Sequence, residues 1–166
     1  MLCMDRMPEG FEAALSAVGI DAERLELACF VDRDRSGKPA EIGLLADRNA
    51  VYVLTGHEEK TQDGKRVWKN EKTEQYPLTE VGGFAVEERR STAVLVADFE
   101  GETVLFALFT NSCLESVRLF ARYAEKLARG ETPEVDPADL PEARFCPVCG
   151  MRYPNPNQRI CPHCVK

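Results

Sequence analysis

The chain has 166 residues, of which 44% are hydrophobic and 30% charged, which is the composition of a soluble globular protein and excludes disorder throughout. Its longest apolar runs, at 93–97 and 104–109, are far below the roughly 18 residues of a membrane-spanning helix, so we expect no membrane insertion. Residues 1–142 carry a net charge of −11 and the last 24 residues +4, and an acidic body of this kind disfavours nucleic acid as the main partner.

The first half of the chain predicts one helix followed by strands. A helix is expected over 8–19, where Pro8 suits the first turn and Gly19 can end the helix. Alternating apolar residues predict a strand over 25–31, and a polar turn follows at 32–37. Further strands are predicted at 42–45, 51–54, 67–68, 73–76, 84–88, 93–99 and 103–109, with hairpin turns at 47–49, 63–64 and 100–101.

A longer amphipathic helix is predicted after the last strand. Ser112 and Glu115 have the spacing of a capping box, and apolar residues over 114–128 fall on one face before Gly130. Strands followed by one such helix predict an α+β fold, in which the helix covers the open end of a bent antiparallel barrel or sandwich. This order, and the segment Tyr76-Pro77-Leu78-Thr79-Glu80-Val81, resemble bacterial pleckstrin-homology-like (PH-like) domains, which implies a PH-like domain over residues 1–130.

A linker is predicted over residues 131–144. Pro133, Pro137 and Pro141 recur every four residues among acidic side chains, a pattern that disfavours helix and sheet and favours a semi-stiff extended segment. The linker separates the PH-like domain from a third unit at 145–166.

The third unit contains four of the seven cysteines in the pattern C-x2-C-x11-C-x2-C. Two residues between cysteines let one tight turn aim both sulfurs at one point, and a hairpin around 154–157 can bring the second pair onto the first. We therefore predict a structural zinc ribbon that binds Zn²⁺, with rubredoxin-type iron and disulfides as the alternatives. Its predicted ligands are Cys146, Cys149, Cys161 and Cys164. The odd total of cysteines and the absence of a secretory signal in the first residues favour a reducing cytosol.

No other residues form a catalytic constellation, so we expect the chain not to be an enzyme. His57, beside two glutamates, is expected to be solvated, and His163 is either a surface residue or a replacement ligand for the metal. Cys113 and Trp68 are expected in the core. The pattern G-x4-G-K-[ST] is absent, which excludes a P-loop for ATP in this chain.

The first hairpin turn contains Arg33, Arg35 and Lys38, and lipid-binding PH-like domains place basic residues in this turn. Here Asp32 and Asp34 lie among the basic residues. We therefore expect no binding of phosphoinositide headgroups.

The combination of units resembles the N-terminal cytosolic extension of certain Firmicutes ABC exporter half-transporters. The resemblance rests on the PH-like pattern, the acidic linker and the ribbon Cys-Pro-Val-Cys-Gly…Cys-Pro-His-Cys-Val-Lys. In that family the ribbon precedes the first membrane helix and, later, the ATPase domain. The resemblance implies a cytoplasmic module that could lie at the cytoplasmic face of the membrane. It also implies that the partners are the membrane and ATPase domains of the same transporter.

Two functions from different classes follow from the sequence. The first is a non-catalytic, zinc-binding interaction or regulatory module of an ABC transporter. The second is a free-standing adaptor whose zinc ribbon contacts nucleic acid or a nucleic-acid enzyme. The net charge of −11 over residues 1–142 counts against the second.

Overall fold

A computed structural model describes residues 2–3, 7–133, 146–150 and 164 of the chain. The described residues have an α+β architecture in which a sheet of mostly antiparallel strands is followed by a C-terminal helix. The strands are β1 (Leu2–Cys3), β2 (Leu27–Arg33), β3 (Pro39–Ala46), β4 (Ala50–Lys60), β5 (Arg66–Pro77), β6 (Val81–Glu88), β7 (Thr92–Phe99) and β8 (Glu102–Thr110). The helices are α1 (Phe11–Ala17) and α2 (Leu114–Ala128), and short 3-10 helices lie at Ala22–Arg24, Leu78–Glu80 and Asn111–Cys113.

Seven strands form one antiparallel path in the order β5-β4-β3-β2-β8-β7-β6. The strand β2 connects its two halves, because most of β2 pairs with β3 whereas Arg33, at its end, pairs with Leu108 of β8. The short strand β1 lies off this path and pairs in parallel with β2 at Leu27 and Ala28. The predicted hairpins are confirmed, and the two strands predicted at 67–68 and 73–76 are parts of the single long strand β5.

Within the described residues the hydrogen-bonded path has two ends, β5 and β6, so the sheet is open and not closed into a barrel. Aromatic side chains pack across the opening. The Phe106 ring of β8 lies 4.7 Å from Tyr76 of β5 and 5.7 Å from Phe84 of β6, measured between ring centroids. These edge-on and tilted contacts are favourable geometries for aromatic pairs, and they hold the two ends of the sheet near each other.

The inner face of the sheet packs against α2. Side chains at alternate positions of a strand point to one face, which places Leu27, Cys29 and Val31 of β2 together on this side. From α2, Val117, Phe120 and other apolar residues complete the same core, in agreement with the predicted amphipathic face. The N-cap of α2 is Cys113, one residue after the predicted N-cap Ser112, and the Cys113 side chain makes no capping hydrogen bond.

The outer face of the sheet has a second core, covered by α1. The residues of β2 that point away from α2, Ala28 and Phe30, are buried there with Trp68 of β5. The Phe11 ring of α1 contacts both Phe30 and Trp68, at centroid distances of 5.0 and 5.4 Å. The expected burial of Trp68 is therefore confirmed. Strands covered on both faces explain why β2 and β3 have nearly continuous apolar sequences.

The helix predicted over 8–19 is shorter in the structure, where it extends from Phe11 to Ala17. The preceding residues pack on β5 instead, since the backbone N–H of Trp68 donates to the Glu9 carbonyl at 2.9 Å. Gly10 has a left-handed φ of 75°, and a Cβ added there would lie 2.5 Å from Cγ1 of Val67. The backbone at Gly10 thus turns sharply where it touches β5, and the helix begins only after this turn.

Candidate metal centre

Cys146 and Cys149 lie on one tight turn, as the C-x2-C spacing predicts. The Gly150 N–H donates to the Cys146 carbonyl at 2.9 Å, and the backbone N–H of Val148 donates to the Cys146 sulfur at 3.4 Å. Gly150 has a φ of 70°, a left-handed conformation that costs a glycine little and lets the turn close. The turn therefore directs the Val148 backbone N–H at the Cys146 sulfur.

Cys164 lies beside this turn, although it is 15 positions beyond Cys149 in sequence. The sulfurs of Cys146, Cys149 and Cys164 all lie within 4.8 Å of one another, and the Cys146 and Cys164 sulfurs are 3.7 Å apart. Sulfurs bound about 2.3 Å from a tetrahedral zinc ion would be about 3.8 Å apart. The three thiols are therefore a group that could hold a metal ion, and the Cys146–Cys164 distance matches that of two ligands in a tetrahedral site.

The local electrostatics favour the thiolate form of Cys146. The backbone N–H of Cys149 contributes most and the Val148 N–H next, and together with the neighbouring thiols they lower the pKa of Cys146 from 9.0 to about 6. Burial acts in the opposite direction. Cys146 is buried, whereas Cys149 and Cys164 are exposed and reachable from solvent. Thiolate is the form of cysteine that binds metal ions.

Several predicted features lie outside the described residues. These are the fourth predicted ligand Cys161, the residue His163, and most of the predicted linker, at 134–144. The four-cysteine ligand set, the identity of the metal and the domain boundaries at 130 and 145 therefore stay predictions.

Among the described residues, the thiol group includes none of the other sequence candidates. His57 on β4 is half-exposed and pairs with two carboxylates, through Nε2 to Glu59 at 2.9 Å and through Nδ1 to Glu71 at 2.7 Å. The hydrogen bond to Glu59 is the main cause that raises the pKa of His57 above 6.5. Cys113 is buried beneath the start of α2, as expected. None of the helices in the described part of the chain has both the length and the apolar composition needed to cross a membrane.

The first hairpin turn uses its charges in contacts within the protein. Asp34 accepts the backbone N–H groups of Ser36 and Lys38, both at 2.9 Å, and so closes the turn. The Arg35 guanidinium donates to Oε1 of Glu74 on β5 at 2.9 Å and to the Phe106 carbonyl on β8 at 3.3 Å. The partner of Arg35 is thus a carboxylate 39 positions away, which the local sequence pattern does not reveal.

Comparisons with known proteins give no further assignment. No protein-family model matches the chain, and no curated protein matches it either. The functional assignment depends on the residues and on their geometry.

Proposed function

We propose that the chain is a non-catalytic, zinc-binding interaction module, in which a PH-like domain carries a four-cysteine zinc ribbon. The observation that carries the proposal is the convergence of Cys146, Cys149 and Cys164, whose sulfurs lie within 4.8 Å of one another. Antiparallel strands followed by one helix against the inner face of the sheet support the PH-like part.

Zinc supplies a structural cross-link in this proposal. Cys146 and Cys149 anchor one side of the site through their shared turn, and Cys164 brings the end of the chain to it. With Cys161 as the fourth donor, protein thiolates fill every position of a tetrahedral ion, and the ribbon has a binding role and no catalytic one. A unit of about 20 residues has too small a core to fold without such a cross-link.

The metal proposal is tested on the full chain, purified without added metal. Elemental analysis is expected to give one zinc per chain, and Cys146→Ser is expected to lose it. Cys113→Ser is the matched control, because Cys113 is a buried thiol remote in sequence from the ribbon, and it is expected to keep the metal. A zinc content near zero, or the absorption spectrum of a thiolate-bound iron, would contradict the proposal.

We further propose that the module acts at the cytosolic side of an ABC exporter, through contacts with the membrane and ATPase domains of that transporter. The resemblance of the ribbon and linker sequence supports this, and so does the acidity of residues 1–142, which disfavours nucleic acid. In the parent exporter, deletion of residues 1–142 should alter assembly or the coupling of transport while ATP binding stays intact. Unchanged assembly, regulation and transport would contradict this proposal. The proposal would also be contradicted if the reading frame of the parent gene encoded no apolar segments of about 20 residues after Lys166.

A further inference from the structure

A cavity of about 260 Å³ opens at the end of the sheet where the first hairpin turn meets β5 and β8. Its floor is apolar and belongs to the inner core: Ile42, Val53 and Phe106 all line it and are at most 5% exposed. Its rim is polar and charged. A pocket with an apolar floor and a few convergent polar groups is the usual form of a small-molecule site.

The charge of the rim is small and positive. Three basic residues, Arg33, Arg35 and Lys72, line the cavity together with two acidic ones, Asp34 and Glu74, which gives a net charge of +1. A ligand with a single negative charge therefore neutralises the net charge of the rim. A multiply charged headgroup would bring more negative charge than the rim can balance, and this distinguishes the site from a polyphosphate site.

The hydrogen bonds of the rim indicate which charge a ligand must carry. The Glu74 carboxylate is largely buried, and its Oε1 accepts from Arg35 at 2.9 Å and from the Tyr76 hydroxyl at 3.2 Å, so Arg35 already balances its negative charge. The Lys72 ammonium lies 3.7 Å from the same oxygen, beyond normal hydrogen-bond distance, and its side chain is 63% exposed. The Lys72 ammonium can thus contact a ligand anion at the mouth of the cavity while Arg35 stays paired with Glu74.

The ionised state of Glu74 agrees with this arrangement. Burial acts to raise the pKa of Glu74, but the hydrogen bond from Arg35 and the charges of Arg35 and Lys72 outweigh burial and lower it below 4.5. The carboxylate therefore stays charged at neutral pH and holds Arg35 in place over the apolar floor.

We propose that this cavity binds a small aliphatic monocarboxylate, with its hydrocarbon chain on Ile42, Val53 and Phe106 and its carboxylate against Lys72 at the mouth of the cavity. The apolar floor selects a hydrocarbon chain, and the volume limits it to a short one. The site is independent of the metal proposal, because all of its residues lie between Arg33 and Ala107.

The test titrates the full chain with sodium hexanoate and follows the backbone amide resonances by NMR. We expect saturable shifts at Thr55 and Ala107, which line the cavity, with a dissociation constant of about 1 mM, as is usual for so small a ligand. Hexanol and hexylamine have the same chain without the carboxylate and are expected to bind much more weakly. Equal binding of hexanol, or tighter binding of inorganic phosphate than of hexanoate, would overturn the ligand class.

Two variants and a control locate the binding. Lys72→Met removes one exposed charge at nearly constant length and should weaken hexanoate about fivefold. Glu74→Gln keeps an acceptor for Arg35, raises the rim charge and should tighten binding. Lys38→Met removes a lysine of the neighbouring turn that does not line the cavity and should change nothing. No saturation by hexanoate, or equal affinity in the Lys72 and Lys38 variants, would overturn the site, whatever the zinc content.

Discussion

Asp32, near the end of β2, accepts two hydrogen bonds from Thr110, the last residue of β8. Its Oδ1 accepts the Thr110 backbone N–H at 2.9 Å, and its Oδ2 accepts the Thr110 hydroxyl. The pair lies where the two halves of the sheet join, next to the single register pair of Arg33 with Leu108. A side chain thus reinforces a junction that has little ladder hydrogen bonding.

Thr110→Val tests this junction. Loss of the hydroxyl should lower the free energy of unfolding at pH 7 by about 1–2 kcal/mol, because a charge-assisted hydrogen bond is lost. Burial acts to raise the pKa of Asp32, but the Thr110 hydroxyl and N–H outweigh it and lower the pKa below 3.8. The stabilisation is therefore complete above pH 3.8 and disappears as the pH falls through the lower, folded-state pKa. Urea denaturation at several pH values measures both effects.

The control for this variant is Thr103→Val, which removes an exposed hydroxyl that donates to Asp98 at 3.3 Å. Its expected cost is below about 0.5 kcal/mol, since the contact is long and solvated. Equal destabilisation by the two variants would contradict the role assigned to Asp32.

Gly10→Ala should destabilise the protein by at least about 2 kcal/mol, because the new Cβ meets both a left-handed backbone and the Val67 side chain. Gly19→Ala is a matched control, with a φ of 79° and no atom within 4 Å of the added Cβ. It should cost about 1 kcal/mol, from backbone strain alone. The difference between the two variants in thermal unfolding measures the contact of residue 10 with Val67 on β5. Equal destabilisation by the two substitutions would show that this contact does not affect stability.

Tyr52 should titrate far above an ordinary tyrosine. Burial contributes most, and the hydrogen bond to Asp47 and its charge add to it, which together raise the pKa of Tyr52 to about 12. A raised folded-state pKa means that the stabilisation is complete below pH 10 and is lost as the pH rises toward 12. Tyr52→Phe should lower the free energy of unfolding by about 1 kcal/mol at neutral pH and remove a step near pH 12 from an ultraviolet absorbance titration.

Tyr123→Phe is the opposite case. The Tyr123 hydroxyl is buried and has no hydrogen-bond partner among the described residues, so its removal should leave the free energy of unfolding unchanged or raise it by up to about 1 kcal/mol. If Tyr123→Phe lowered the free energy of unfolding more than Tyr52→Phe does, the Tyr123 hydroxyl and not the Tyr52 hydroxyl would be the stabilising one.

Vesicles of anionic lipid, and DNA or RNA, should show no saturable binding to the full chain at physiological salt. Residues 1–142 are acidic, and Arg35 of the first turn is already paired with Glu74. A co-sedimentation assay and a fluorescence titration measure the two cases. Micromolar, salt-sensitive binding to either would favour the adaptor or a lipid-binding function over the exporter module.

The sequence predicted those features that depend on short-range patterns. Alternating apolar residues located the hairpins, and the C-x2-C spacing placed Cys146 and Cys149 on one turn. Features that depend on distant contacts were missed. Nothing near Arg35 in sequence indicates its pairing with Glu74, and the outer core under Phe11 requires knowing that β5 carries Trp68 to the same face. The fourth ligand and the PH-like assignment stay at the level of prediction.

Burial of β2 and β3 on both faces has a consequence for local opening of the protein. Amide hydrogens in these strands are shielded by α1 on one side and by α2 on the other, so they should exchange with solvent only when most of the domain unfolds. Among the described residues, the edge strands β5 and β6 each have a neighbouring strand on the path on one side only, and each exposes several of its residues. The domain should therefore open from these two edges inward, and a protease or a strand-binding partner would reach them long before the centre of the sheet.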